Sequence, residues 1–262
     1  MSYKILPVSH RICLFLSFIF LLLFLPLSTS RSGIDLDNIC TNFTCLLSQG
    51  YSSAIVRALK SSGESDENAY TNILNAKQAG FLSVDVYIYP CRGKDASAQV
   101  DLIDPNNLFS SSFDFFYTKP FNDFRKFKRV RELLNLNDTF ILNEMFKMVW
   151  IYIDSNPSMG CGWSSYSISS NCEFLKKLVK ALESKGKKVG IYSSRDKWTQ
   201  IFGNEDYCKE FANYPVWYSH LDQDPSFNDW NLIRFGGWTK PAIKQYDKNI
   251  RICECQINSN FF

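Results

Sequence analysis

An α/β barrel built on parallel strands is the fold class this sequence predicts, and three observations carry the prediction. Short apolar, strand-like runs alternate with amphipathic helical stretches along most of the chain. Runs such as Met148-Val149-Trp150-Ile151-Tyr152-Ile153-Asp154 are apolar on both faces, as strands covered on both sides must be. No Pro/Gly/Ser linker or block of like charge divides the chain, and roughly 230 residues rich in aromatics can fill one large core as a single domain.

In chain order, residues 33–36 read as a short strand and 44–49 as a helical turn stopped by Gly50. Residues 54–58 form a second strand, and 68–79 an amphipathic helix ended by Gly80. Residues 84–89 alternate strictly and are capped by Pro90; 148–154 is the next strand. Residues 171–184 put Phe174, Leu175, Leu178, Val179 and Leu182 on one helical stripe. A strand over 188–193, a helical turn over 198–202 and a strand over 215–219 follow. Two late strands, 242–246 and 252–257, have no helix between them, so the end of the barrel breaks the βα rhythm.

The strand 148–154 holds the chemistry. Residues two apart share a face, so Trp150, Tyr152 and Asp154 lie on one side and Val149, Ile151 and Ile153 on the other. A carboxylate at the carboxyl end of a barrel strand stands where such enzymes keep their active sites.

The N-terminus reads as an export signal. Lys4, His10 and Arg11 precede an apolar run over 12–25, then Pro26 and small residues, so residues 1–30 are expected to be removed and the domain to span 31–262. No later segment is long and apolar enough to cross a membrane, and the mature chain is expected in a secreted or lysosomal/phagosomal setting. Cys13 falls in the leader. The eight cysteines that remain favour disulfides, with Cys161–Cys172 as a local pairing across a Ser/Tyr-rich loop. Sequons at Asn42 and Asn137 agree with export. Only His220 survives processing, which leaves histidine-based metal cages and triads poorly supplied, so no metal or cofactor is expected. Loss of the leader lowers the net charge from +3 to +1, too little for a nucleic-acid field. The basic stretch 125–131 is interleaved with apolar residues and reads as a solvated helix face.

With these elements in order, the chain resembles the glycoside hydrolase family 25 lysozymes, in their secreted eukaryotic branch. The resemblance rests on Gly33-Ile34-Asp35-Leu36, Val56-Arg57-Ala58, Val84-Asp85-Val86-Tyr87-Ile88-Tyr89-Pro90-Cys91 and Val149-Trp150-Ile151. It continues through Val189-Gly190-Ile191-Tyr192-Ser193, Pro215-Val216-Trp217-Tyr218, Trp238-Thr239-Lys240-Pro241 and Lys244-Gln245-Tyr246. It implies a modified TIM-like barrel of five βα units followed by three strands. It also implies cleavage of the β-1,4 bond between muramic acid and glucosamine in bacterial peptidoglycan, by a monomer acting in defence or digestion.

The family's carboxylates come from the first strand, from an Asp-x-Glu at the end of a middle strand, and from an Asp near the C-terminus. Asp35 matches the first. Aligned on Trp150 without a gap, Tyr152 takes the place of the aspartate and Asp154 that of the glutamate; a slide by two residues makes Asp154 the aspartate and Asn156 the absent glutamate. The gapless register is preferred. Near the C-terminus Asn258 replaces an acid. Asp154, Asp35 and Asn258 are therefore the expected catalytic groups, with Asp154 as proton donor and Asp35 or Asn258 orienting the substrate acetamide.

Tyr87, Tyr89, Tyr152, Tyr192, Trp217 and Gln245 are expected to line the saccharide groove, with Tyr218 and Tyr246 nearby, because aromatic faces pack on sugar rings. Arg57 is expected to pair with Asp35 inside the barrel, and Asp85 to be a structural partner of the same kind. The replaced carboxylates also admit a silent carbohydrate-binding protein on the same barrel.

Overall fold

The computed structural model describes residues 32–104, 107, 145–146, 148–155, 158–204 and 206–262, which lie in one compact unit. The expected leader, the basic stretch 125–131, the sequon at Asn137 and the alternative acid position Asn156 lie outside the described residues.

Eight strands close into a barrel in sequence order. They are β1 (Ser32–Leu36), β2 (Tyr51–Leu59), β3 (Ser83–Ile88), β4 (Met148–Tyr152), β5 (Lys188–Ser193), β6 (Val216–Ser219), β7 (Ile243–Ile252) and β8 (Cys255–Phe261). Strands β1 to β7 run parallel, and β8 closes the seam antiparallel to both β7 and β1. Helices α1 (Phe43–Ser48), α2 (Ala69–Ala79), α3 (Ala96–Leu102), α4 (Ile168–Ser184) and α5 (Arg195–Phe202) follow the first five strands in turn. A four-residue helix, α6 (Trp230–Ile233), is the one helix in the connection from β6 to β7. Five βα units followed by three strands is the expected architecture, and it is the one found.

Local chemistry explains the elements. Helix α4 begins where the Ser167 side chain accepts the Ser170 amide, and it buries Phe174, Leu175, Leu178, Val179 and Leu182. Helix α2 stops at Gly80, whose φ of 93° is costly for any residue with a Cβ.

Strand parity divides the apolar residues into two cores. Ile34, Leu36, Val56, Val86, Val149, Ile151, Val189, Ile191 and Val216 face outward and join the helices in one large cluster. Ile55, Tyr87, Trp150, Tyr192, Trp217 and Ile243 fill the barrel interior. Rings fill that interior with few residues, and Gly190 makes room for one of them: a Cβ there would stand 2.4 Å from the Trp150 ring.

Several expectations need correction. Helix α3 was not foreseen; it is short, starts at the Asp95 cap and buries only Ala96, Gln99 and Val100. Strand β4 ends at Tyr152, two residues short of Asp154. The strand expected over 252–257 is interrupted: Ile252 ends β7, Cys253 and Glu254 turn at φ 54° and 62°, a left-handed pair suited to two-residue hairpin loops, and β8 begins at Cys255 and runs on to Phe261. Disulfides hold this turn in place: Cys40–Cys255 and Cys45–Cys253 tie the β7–β8 hairpin to the segment after β1. The local Cys161–Cys172 pairing is wrong. Cys161 joins Cys91, and Cys172, in the first turns of α4, joins Cys208. Nor does Arg57 pair with Asp35: its guanidinium binds Asp66 at 2.6 Å and Asp37 at 2.9 Å on the rim.

Asp85 shares its face of β3 with Tyr87, and among the described residues it has no ion pair like that of Arg57. Burial pushes its carboxyl up from 3.8 to about 6, against the opposing influence of the Trp150 indole and the Lys77 charge. The fold thus holds this proton more tightly than the unfolded chain does. Its contribution to stability is complete below about pH 4 and is lost as pH rises through about 6. Asp85→Asn is expected to raise stability at pH 7.5 by on the order of 2–3 kcal/mol and to change it little at pH 4. Urea denaturation at the two pH values checks this; an equal effect at both would remove Asp85 as the source.

Candidate active site

The barrel mouth is organised around Asp35. It sits on β1 opposite Asn258 of β8 and is 1% exposed. Three side-chain amides converge on it. Gln245 Nε2 and Asn260 Nδ2 donate to Oδ1 at 2.7 and 2.8 Å, and Asn258 Nδ2 donates to Oδ2 at 2.8 Å. These donors favour the carboxylate, but burial outweighs them and raises the Asp35 pKa above its ordinary value; Lys248 adds a weaker opposing charge. Strand alternation explains the convergence, because Asn258 and Asn260 are two apart on β8 and share its inner face.

The network runs on from the amides. Tyr192 donates its hydroxyl proton to Gln245 Oε1 at 2.8 Å, which fixes that amide with its nitrogen toward Asp35. Tyr152 donates to the Tyr192 hydroxyl at 3.1 Å, and its ring stacks on Tyr192 with centroids 3.8 Å apart. Trp217 donates from its indole to Asn260 Oδ1 at 2.8 Å. Burial drives both phenol pKa values up, so Tyr152 and Tyr192 act as neutral donors and not as phenolate nucleophiles.

Asp154 lies one residue beyond the last strand bond of β4, where Ile153 N donates to Tyr192 O at 2.9 Å. Its side chain is 18% exposed, and Lys197 Nζ stands 3.4 Å from its Oδ1. Burial is the main cause of the raised Tyr192 pKa, and the charges of Asp35 and Asp154 push it weakly in the same direction.

The remaining expected residues divide by depth. Tyr87, Tyr192, Trp217 and Gln245 are buried and form the floor, so none offers an open ring face to a sugar. Tyr152 and Tyr89 are half-buried at the mouth with centroids 5.0 Å apart; Tyr152 is covered by Tyr192 on one side and flanked by Tyr87 and Tyr89. Tyr218 is not at the mouth: it faces outward and donates to Asp229 at 2.6 Å. Tyr246 lies beside Ser259 and Tyr51, outside the interior. Two residues escaped the sequence reading. Asn260 was signalled by its spacing from Asn258, and Lys197 by being a cation in the first turn of a helix, where acids are preferred.

Among the described residues, His220, Asp222 and Asp229 are the one group of side chains close enough to share an ion. The fully buried Lys244 already stands 2.7 Å from Asp222 and 3.1 Å from Asp229, supplying the positive charge that a metal would bring.

A family model described as "Lysozyme-like protein 1" matches residues 28–113 and 125–246. Two relatives from Dictyostelium discoideum align over nearly the full length of both chains. "Probable GH family 25 lysozyme 2" is 32% identical over 255 residues, 96% of this chain and 98% of the relative. "Probable GH family 25 lysozyme 5" is 34% identical over 256 residues, 96% and 99% respectively. This chain belongs to the glycoside hydrolase family 25 lysozymes. The family's fold agrees. A family GH25 lysozyme from Aspergillus fumigatus superposes with a TM-score of 0.58 at 15% identity, covering 89% of this chain and 94% of its own. The chain is thus a glycoside hydrolase of lysozyme type, and the Asp35 cage and Asp154 occupy the end of the barrel where strand-end carboxylates do such chemistry.

Proposed function

We propose that this family 25 lysozyme cuts the β-1,4 bond between muramic acid and glucosamine in bacterial peptidoglycan, with Asp154 as proton donor. The observation that carries the reading is the contrast between its two carboxyls. Asp35 is sealed by three amides, whereas Asp154, just past the end of β4, keeps a partly exposed side chain beside Lys197. Glycoside hydrolysis needs an acid that can reach the leaving oxygen, and only the accessible group meets that need. Asn258, partly exposed and already hydrogen-bonded to Asp35, is suited to orient the substrate acetamide, with Asp35 holding the amides in place.

Turnover is slow in this reading. Asp154 reaches one methylene less far than the family glutamate, and a misplacement of about 1 Å can cost ~100-fold in rate. Tyr152 and Asn258 also stand where the family has acids, so less negative charge faces the oxocarbenium-like centre. The protein works after export, in defence or bacterial digestion. Four disulfides support an oxidising destination, and among the described residues no helix is long and apolar enough to cross a membrane.

Purified mature protein incubated with labelled peptidoglycan provides the test. Slow release of reducing ends is expected. Retention on the polymer without release would move the chain to a silent carbohydrate-binding role, and neither binding nor release would end the peptidoglycan reading.

A further inference from the structure

We propose that Lys197 is a positioning residue for the proton donor, holding the Asp154 carboxyl group in its place past the end of β4. The inference rests on the reading of Asp154 as the acid and adds to it a residue from a different βα unit.

Three observations meet here. The first concerns what holds Asp154. The sheet supports β4 only as far as Ile153, whose N–H donates to Tyr192 O at 2.9 Å and whose carbonyl accepts from Ser193 Oγ at 3.1 Å. Asp154 is the first residue past that support, and a side chain at the end of a strand needs contacts beyond the ladder to stay in one rotamer.

The second concerns where Lys197 starts. The Ser194 side chain caps α5 by accepting the Lys197 amide, which fixes the backbone of Lys197 at the helix start. The partial positive charge of a helix N-terminus disfavours a cation in this turn. A local preference broken in this way calls for a compensating contact.

The third supplies that contact. The ammonium reaches the segment that follows the neighbouring β4, donating to Ser155 Oγ at 2.7 Å and standing 3.4 Å from Asp154 Oδ1. It grips both the acid and the residue after it, while Lys197 remains about one-third exposed. The bond to Ser155 fixes the direction of the ammonium, and the ammonium in turn fixes the carboxylate. Because β5 and α5 also carry Tyr192 and Ser194, the contact locks the β4 acid to the unit that supplies the floor of the site.

Steady-state hydrolysis of labelled peptidoglycan by the wild type, Lys197→Met, Lys197→Arg and Asp154→Asn tests the proposal, with melting temperatures recorded for each. Lys197→Met is expected to lower kcat by about 10- to 100-fold while KM stays within about twofold, as loss of orientation and not of binding predicts. Lys197→Arg, which keeps a cation with enough reach, is expected to recover most of the loss. A kcat for Lys197→Met equal to or above wild type overturns the proposal, as does a change in KM alone or a Lys197→Arg variant as slow as Lys197→Met; a rise would mean that the cation works against the proton donor by favouring its ionised form. If Lys197→Met fails to fold, Lys197→Gln carries the same comparison, and wild-type kcat there overturns it equally. The underlying reading fails differently: then the wild type releases no reducing ends, or Asp154→Asn keeps full turnover.

Discussion

Asp154→Asn is expected to lower peptidoglycan turnover by about 10²- to 10⁴-fold, the range that a positioned general acid supplies. The amide is nearly the same size as the carboxyl and can still accept a hydrogen bond, so melting temperature and glycan binding should hold close to wild type. Asp35→Asn makes the contrasting case. Gln245, Asn258 and Asn260 all donate to Asp35, and an amide in its place offers one acceptor oxygen and a nitrogen that competes with the donors. Leaving buried donors unsatisfied costs on the order of 1–3 kcal/mol each, so Asp35→Asn should lose stability as well as activity. Reducing-end release and thermal melts on both variants separate an acid from an anchor. Wild-type turnover by Asp154→Asn would show that the proton comes from elsewhere.

The second large effect concerns the paired disulfides of the β7–β8 hairpin. Cys40–Cys255 and Cys45–Cys253 join positions 215 and 208 residues apart, and they lie side by side. On the chain-entropy account, one cross-link of that span constrains the unfolded chain by about 5 kcal/mol. Once it is present, the second closes only the small ring between neighbouring bridges, worth roughly 2–3 kcal/mol. Removing either bridge by Cys→Ser pairs should therefore cost about 2–3 kcal/mol, and removing both about 8, well beyond the sum of the singles. Against a typical stability of 5–15 kcal/mol, the double removal approaches global unfolding. Guanidinium denaturation of the three variants decides it; strictly additive losses would mean that the bridges act by another route.

Much of the barrel was legible because parity and apolar runs are local properties. The alternation that put Val149, Ile151 and Ile153 on one side and Trp150 and Tyr152 on the other is the division between the outer and inner cores; Asp154 lies beyond the strand that ends at Tyr152. Long-range closure was not legible. Nothing local at Cys253 and Glu254 announces a turn, since neither is the Gly or Asn that left-handed positions usually take. The pairing of eight cysteines depends on the fold itself. Arg57 was read as the partner of Asp35 because it lies inside an apolar strand, yet the acids it binds are Asp37 and Asp66, supplied by loops. The amide cage was half visible. Asn258 came from the resemblance, but that its nitrogen bonds Asp35 is a fact of three dimensions. It also alters the meaning of the replaced acid: an aspartate at 258 would face Asp35 across about the same gap, and the two carboxyls would have to share a proton.

Asp85 makes protons a ligand of the native state. Folding of this barrel is a proton-consuming reaction between about pH 4 and pH 6, so acid favours the native chain by mass action through this group. The lowered carboxyls of Glu67, Asp222 and Asp229 work the other way, so this gain is the share of Asp85 alone. A substitution that removes about 2 kcal/mol at neutral pH would be largely offset near pH 4.5, within the window where Asp85 binds its proton only in the fold. The same substitution met at neutral pH draws on a thinner margin and can tip the chain toward proteolysis. Through this one group, a destabilising substitution is best tolerated in acid and least tolerated at neutral pH.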